Sequence, residues 1–498
     1  MRDGRIVELL PPDHDPSMII EGVDLGERFV SPGLIDAHMH LQLAGESLLH
    51  VDLSTVCSPQ EFMDVLADAH RKMEPGRWLL ASGWSENRWD PPVLPDQSWL
   101  RGCEDRPVVC WRMDHHSAVV NEAVLRELEL PDDGIIESQG GRVGRDDDGR
   151  PTGLLQEAAA WSYLIPCIPS LPESGLAEAI TRARDACVAS GLTGVRTMEY
   201  RRDIMRVHDE LNAGASLRTS VVVLDRAMPL DLEWVRSAPA SDCFRITGCK
   251  SFVDGTLGSR TARLLDPYAD ASSNHGVFTE HQLEGRLSEW MKAVSGHRLA
   301  PVMHAIGDAA VMACLDAIEA NDQWHAATIE HAEVITPTVL ERLGKHSGVM
   351  LSMQPLHRSD DATFAEAALG SDRSSSLSPF RSLQQQGAML AFGSDWPIVT
   401  CDPVQGMAAA ILAQDANGND FHVGERLGAE SALRGYTVDA ANMAGLEGSG
   451  VLKQQSVADF VIWEDDPLEC DWASACPSIR ATYLGGCRVS GAEEEGVS

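Results

Sequence analysis

Eight short apolar runs, each followed by a stretch that reads as loop and helix, constrain this chain more than any other feature. They span Gly33–His38, Leu192–Met198, Leu217–Leu224, Phe244–Phe252, Leu299–His304, Ala326–His331, Gly348–Gln354 and Ala388–Ser394. Helices are predicted between them, including Leu176–Ala189, His281–Ser295, Asp308–Ala320, Pro337–Leu343 and Ser376–Gln386. Parallel neighbours need a crossover of a dozen or more residues, usually a helix. Eight strands in such alternation predict an α/β fold of the (β/α)8 TIM-like barrel type. The alternation breaks once, between the first two strands. Residues 44–172 are too many for a plain loop and carry their own apolar runs, Trp78–Ser82 and Pro107–Trp111, so a folded insertion is expected there. Gly4–Leu10, Ala458–Trp463 and Ile479–Val489 are strand-like but lie outside the eightfold pattern. They predict a small β-sandwich domain built from residues 1–31 and 441–490, leaving 32–440 to the barrel. The acidic tail 491–498 is expected to be disordered.

A chain of 498 residues can hold a large barrel with additions. Its formal net charge of -35 argues against nucleic acid and anionic membranes as partners. No apolar run is long enough to span a bilayer, and the N-terminus lacks the apolar core of a signal peptide, so a cytoplasmic location is expected. The 12 cysteines form no CxxC pair, which disfavours a zinc ribbon and predicts scattered, buried, reduced thiols.

The chemistry-bearing residues fall at the carboxyl ends of the predicted strands, where barrels of this kind place their active sites. His38 and His40 close the first strand. Residues two apart share a face, so the two imidazoles can grip one divalent cation. Lys250 lies near the end of the fourth strand, in a chain with only four other lysines: Lys72, Lys292, Lys345 and Lys453. His304 ends the fifth strand, His331 the sixth and Asp395 the eighth. Such a convergent set points to a metal-dependent hydrolase. His70, His208, His281 and His325 fall on predicted helices or their edges and are read as surface residues.

Several segments together resemble the amidohydrolase superfamily, in its amidohydrolase-3 branch of YtcJ-like metal-dependent hydrolases. They are Pro32–His40, Gly83-Trp84, Pro151–Glu157, Lys250–Thr261, His304–Asp308, Ile329–Ala332, Gln354-Pro355, Gly393–Pro397 and Ala458–Ile462. In that family further sandwich strands usually precede the Asp3–Val7 segment on which this chain opens, so a trimmed small domain or a start farther upstream is expected. The resemblance implies that His38 and His40 hold one metal, His304 and His331 a second, and that Lys250 bridges them as a carbamate formed with carbon dioxide. Asp395 would bind the first metal and serve as general base. Two divalent ions per chain are implied, zinc by default for such ligands, with iron or manganese compatible. His116, Trp84, Glu157, Asp254 and His357 are the expected substrate-binding or orienting residues. The expected reaction is hydrolysis of a non-peptide carbon–nitrogen bond in a small amide, an N-substituted formamide-like compound or a cyclic amide. A deaminase or esterase on the same scaffold, or a non-catalytic metal-binding barrel, is the alternative. The partner is then a small-molecule substrate, with a homodimer left open.

Overall fold

The computed structural model describes residues 1–11, 24–74, 76–212, 217–225, 227, 229–321, 326–346 and 348–491. His325 and the tail beyond Gly491 lie outside these residues. All eight apolar runs form strands: β1 (Leu34–Met39), β2 (Leu192–Tyr200), β3 (Arg218–Leu224), β4 (Phe244–Phe252), β5 (Ala300–Ala305), β6 (Ala327–His331), β7 (Val349–Met353) and β8 (Met389–Phe392). They pair in parallel, in chain order, in one sheet. The sheet nearly closes at its carboxyl end. Met39 bridges Trp396 in parallel sense, Asp395 N donates to His38 O at 2.6 Å, and His40 N donates to Trp396 O at 2.9 Å. Every residue of β1, β3 and β6 is buried, as expected for strands with helices on one face and barrel interior on the other.

Two helices depart from the pattern for local reasons. The stretch predicted over His281–Ser295 is two helices, Glu280–Leu283 and Leu287–Gly296, because Gly285 sits at φ +69° between them. His281 is consequently buried against the Trp290 ring, with centroids 5.8 Å apart, and is not a surface residue. The helix predicted from Ser376 starts only at Phe380. Ser378 is left-handed, and Pro379 disfavours a helical residue before it.

Between β1 and β2 the chain builds a mixed six-stranded sheet. Its central strand, Val108–Arg112, divides its side chains by simple alternation. Val108 and Cys110 enter one apolar cluster with Phe62, Trp84 and Trp89. Val109 and Trp111 enter another with Leu155 and Leu164. A four-stranded antiparallel sheet joins the termini, in the order Val30–Pro32, Phe460–Trp463, Ile479–Leu484, Cys487–Gly491. The strand expected over Gly4–Leu10 reduces to single bridges, Arg2 to Arg5 and Arg5 to Val457, because Asp3 and Gly4 both take left-handed φ and turn the chain. Arg218 on β3 reaches both carboxylate oxygens of Asp459, a buried bidentate pair that fastens the terminal sheet to the barrel. All twelve cysteines are free; Cys57, Cys476 and Cys487 are exposed, not buried as expected. Among the described residues no helix is long and apolar enough to cross a membrane.

Candidate metal centre

The carboxyl end of the barrel gathers six candidate ligands: His40, Lys250, His304, His331 and Asp395 line the floor of one cavity, and His38 is fully buried beside them. Asp36 brings β1 and β8 together there. Its carboxylate accepts from the backbone N–H of His38 at 2.9 Å and from that of Ser394 at 3.1 Å, and burial pushes its pKa up to about 7. A Cβ on Gly393 would lie 2.5 Å from His38 N, so only glycine lets β8 approach so closely. Asp395 follows at φ +57°. Its Oδ1 stands 3.2 Å from His38 Nε2 and 3.3 Å from His40 Nε2. Burial works to raise the Asp395 pKa, but His38, His40 and His331 hold it well below the usual carboxylate range.

Three histidines are held in defined tautomers by groups behind them. His38 Nδ1 donates to the carboxylate of Glu330, leaving the Nε2 lone pair toward Lys250 Nζ, 3.0 Å away. His331 Nδ1 donates to Gln354 Oε1 at 2.8 Å, leaving Nε2. His304 Nε2 donates to Gly255 O at 3.1 Å, leaving Nδ1 buried without a partner. A neutral imidazole has one N–H and one lone pair, so in each case the remaining nitrogen can only accept. Burial lowers the pKa of His304 and His331 well below the usual value and that of His40 to about 4, which keeps all three neutral. Ligand atoms of His38, His331 and Asp395 all lie within 4.8 Å of one another. The His304 and His331 ring centroids are 4.5 Å apart. Buried lone pairs and a carboxylate converging without protons to share are what a divalent cation requires, so the donor set fits a metal.

Lys250 is 1% exposed, and burial lowers its pKa. Its ammonium lies 4.7 Å from the Phe252 ring centroid. An amine depleted of its proton is the form that reacts with carbon dioxide.

The other expected residues divide by position. His116 faces the cavity with its ring 5.3 Å from His304. Its Nδ1 donates to Glu157 Oε2 at 2.8 Å. Burial opposes its charge, but Glu157 prevails and raises its pKa. Glu157 is fully buried at φ +51° and also accepts from the Thr261 hydroxyl at 2.6 Å. Asp254 accepts from the backbone N–H groups of Arg263, Ile306 and Gly307, so it fixes the loop after β5 from behind. His357 stacks on His331 with centroids 6.0 Å apart. Trp84 does not reach the cavity. It is fully buried in the insertion, its indole N–H donating to Cys110 O at 2.8 Å.

The insertion supplies Trp78, Trp111 and Trp161 to the cavity, whose volume is about 950 Å³. Leu43, Leu49, Met198 and Phe252 continue its apolar wall. Sequence reasoning assigned no role to Glu330, Arg196 or Gln354. Glu330 Oε1 accepts from Arg196 Nη1 at 2.7 Å in the barrel interior. Glu330 precedes His331, and regular alternation would send one of them away from the site. Left-handed φ at His331 (+72°) and Ala332 (+47°) breaks the alternation, and both side chains meet His38.

A family model described as "Amidohydrolase family" matches residues 21–489. The chain is 30% identical over 481 residues to YtcJ of Bacillus subtilis (strain 168), covering 94% of this chain and 90% of that protein. It is 25% identical over 502 residues to the N-substituted formamide deformylase of Arthrobacter pascens, covering 94% and 89% respectively. The crystal structure of an uncharacterized metal-dependent hydrolase from Pyrococcus horikoshii superposes with a TM-score of 0.71 at 26% identity, covering 90% of this chain and 88% of the other.

Proposed function

The chain belongs to the amidohydrolase family, and on that footing we propose that it hydrolyses a non-peptide carbon–nitrogen bond in a small amide of the N-substituted formamide or cyclic amide kind. The observation that carries this reading is the set of three histidines whose outward nitrogens are each occupied, leaving lone pairs at the cavity floor beside Asp395. His38, His40 and Asp395 would hold one ion, and His304 and His331 a second, with Lys250 as a carbamate between them. Zinc suits such nitrogen and carboxylate donors. Bound there, divalent cations supply Lewis acidity to the attacking water and to the amide carbonyl.

The chain's own groups do the rest. Asp395, whose pKa lies well below the usual carboxylate range, accepts the water proton at a carboxylate oxygen and delivers it to the leaving nitrogen. His116, whose pKa Glu157 raises, faces the cavity and in its protonated form presents an N–H donor where negative charge develops on the substrate oxygen. Trp111, Trp161 and Phe252 line an apolar wall that favours an aromatic or aliphatic substituent and excludes water. The N-substituted formamide activity of the Arthrobacter relative supports this substrate class. The test is a panel of N-substituted formamides, cyclic amides, esters and amino-heterocycles, scored for amine, alcohol and ammonia release alongside metal content per chain. Amine release that requires metal supports the reading. Ammonia or alcohol release alone turns it toward a deaminase or an esterase.

A further inference from the structure

A second group of donor side chains lies beside the metal centre, in a cavity of about 50 Å³ lined by Glu333, His357 and Asp361 together with His304, His331 and Asp395. Glu333 follows β6 just past the left-handed kink at His331 and Ala332. His357 and Asp361 stand four residues apart on the helix Pro355–Ala362 after β7, and so share a face. Ligand atoms of His331, Glu333 and His357 all lie within 4.8 Å of one another. His357 Nδ1 stands 3.6 Å from Glu333 Oε1. Glu333 Oε2 and His357 Nε2 are both buried without a hydrogen-bond partner, and the Glu333 side chain is only 5% exposed. Glu333 also meets the carboxyl of Asp361. Buried polar atoms without partners are rare unless a ligand satisfies them. One divalent cation would engage the free atoms of Glu333 and His357.

We propose that Glu333 and His357 form an auxiliary divalent-cation site beside His331, with Asp361 as a further carboxylate. Mixed imidazole and carboxylate donors suit zinc or manganese over calcium. His331 belongs to both donor groups, and with Nδ1 engaged by Gln354 it has a single lone pair to give. The hydrolytic centre takes that lone pair, so the auxiliary ion rests on Glu333, His357 and Asp361 and binds more weakly than the first ions. The inference does not depend on the amide reading above.

The test is zinc uptake by the full chain after chelator treatment, followed by calorimetry and by elemental analysis after desalting at graded free zinc. Wild type is expected to take up about one more weak equivalent per chain than Glu333→Gln or His357→Ala, which keep the tight equivalents. Equal stoichiometry and affinity in all three proteins overturns the site. If the variants do not fold, anomalous scattering from zinc-soaked wild-type crystals decides. A peak between Glu333 and His357 supports the site, and peaks only at His38 and Asp395 overturn it. Unchanged zinc uptake with a raised KM for amine-bearing substrates alone would assign the pocket to a cationic substrate group and overturn the metal site. A chain that holds the extra ion but cleaves no amide leaves this proposal standing and sinks the amide reading.

Discussion

Replacing Glu330 by glutamine probes the orienting shell where two roles meet in one carboxylate. Oε1 accepts from Arg196 Nη1 at 2.7 Å, and Oε2 holds His38 Nδ1. Burial alone would raise the Glu330 pKa, yet Arg196, His38 and Lys250 keep it far below the usual range, so the group is an anion. Glutamine keeps the shape and one acceptor oxygen but removes the charge. Arg196, 1% exposed, then retains only neutral acceptors, Ala37 O at 3.3 Å and the Thr328 hydroxyl at 3.4 Å. Stripping one partner from a buried ion pair costs about 3–5 kcal/mol. The His38 hydrogen bond also loses its charge assistance, about half its strength, and weakening the partner of a ligating histidine lowers metal affinity about 10–100-fold. The assays are denaturant unfolding of the metal-free chain and zinc competition against a chelating dye. Adding Arg196→Met should recover part of the stability, since the orphaned charge is gone, but none of the metal affinity. A Glu330→Gln chain within about 0.5 kcal/mol of wild type, with unchanged zinc affinity, would refute the reasoning.

Asp395→Asn should keep the fold and lose nearly all turnover, measured as amine release against circular dichroism; near-normal turnover would remove Asp395 as the base. Lys250→Ala should lose one or both metals by elemental analysis, with partial rescue by a short carboxylic acid in place of the carbamate, and unchanged metal content would take Lys250 out of the centre. Glu199, at the end of β2, has its pKa pushed up to about 8 by burial. Between roughly pH 4.3 and 8 the unfolded chain has released a proton that the folded chain still binds, so this group's contribution to stability falls as pH rises through that window. Glu199→Gln should therefore melt above its parent near pH 8 and lose that lead near pH 4–5, and a lead independent of pH would refute the assignment.

The barrel was legible because its strands are buried on both faces and read as continuous apolar runs. The candidate ligands were legible because barrel chemistry sits at strand ends, so His38, Lys250, His304, His331 and Asp395 could be picked out by position alone. What holds those ligands in orientation was not legible. Glu330 stands beside His331, where alternation assigns it to the wrong face, and only the left-handed backbone at His331 and Ala332, both non-glycine, brings it back. Gln354 and Gly255 stood out only as parts of the matching segments Gln354-Pro355 and Lys250–Thr261, with no role attached, since each acts through a contact with a histidine elsewhere in the chain. Trp84 misled for a related reason. Six tryptophans in one insertion look alike in sequence, and strand register decides that Trp111 lines the cavity while Trp84 fills a core.

The same site concentrates backbone conformations that other residue types would avoid. Asp395, His331, Ala332, Glu157 and His115 all take φ between +47° and +72°, each costing about 1–3 kcal/mol for a non-glycine residue. The floor of the cavity also holds a carboxylate and at least three neutral imidazoles out of water. The site's own contacts do not recover all of this cost, since His304 Nδ1 is buried without a hydrogen-bond partner. The surrounding barrel must therefore hold the site open by force of packing, and it does so through the fully buried strands β1 and β6 and the Asp36 link between β1 and β8. A cation that engages those groups binds the folded chain and not the unfolded one, so its binding free energy adds directly to stability. The arrangement that makes the site costly to fold is the one that makes it tight for metal, because the lone pairs are aimed and desolvated before the ion arrives.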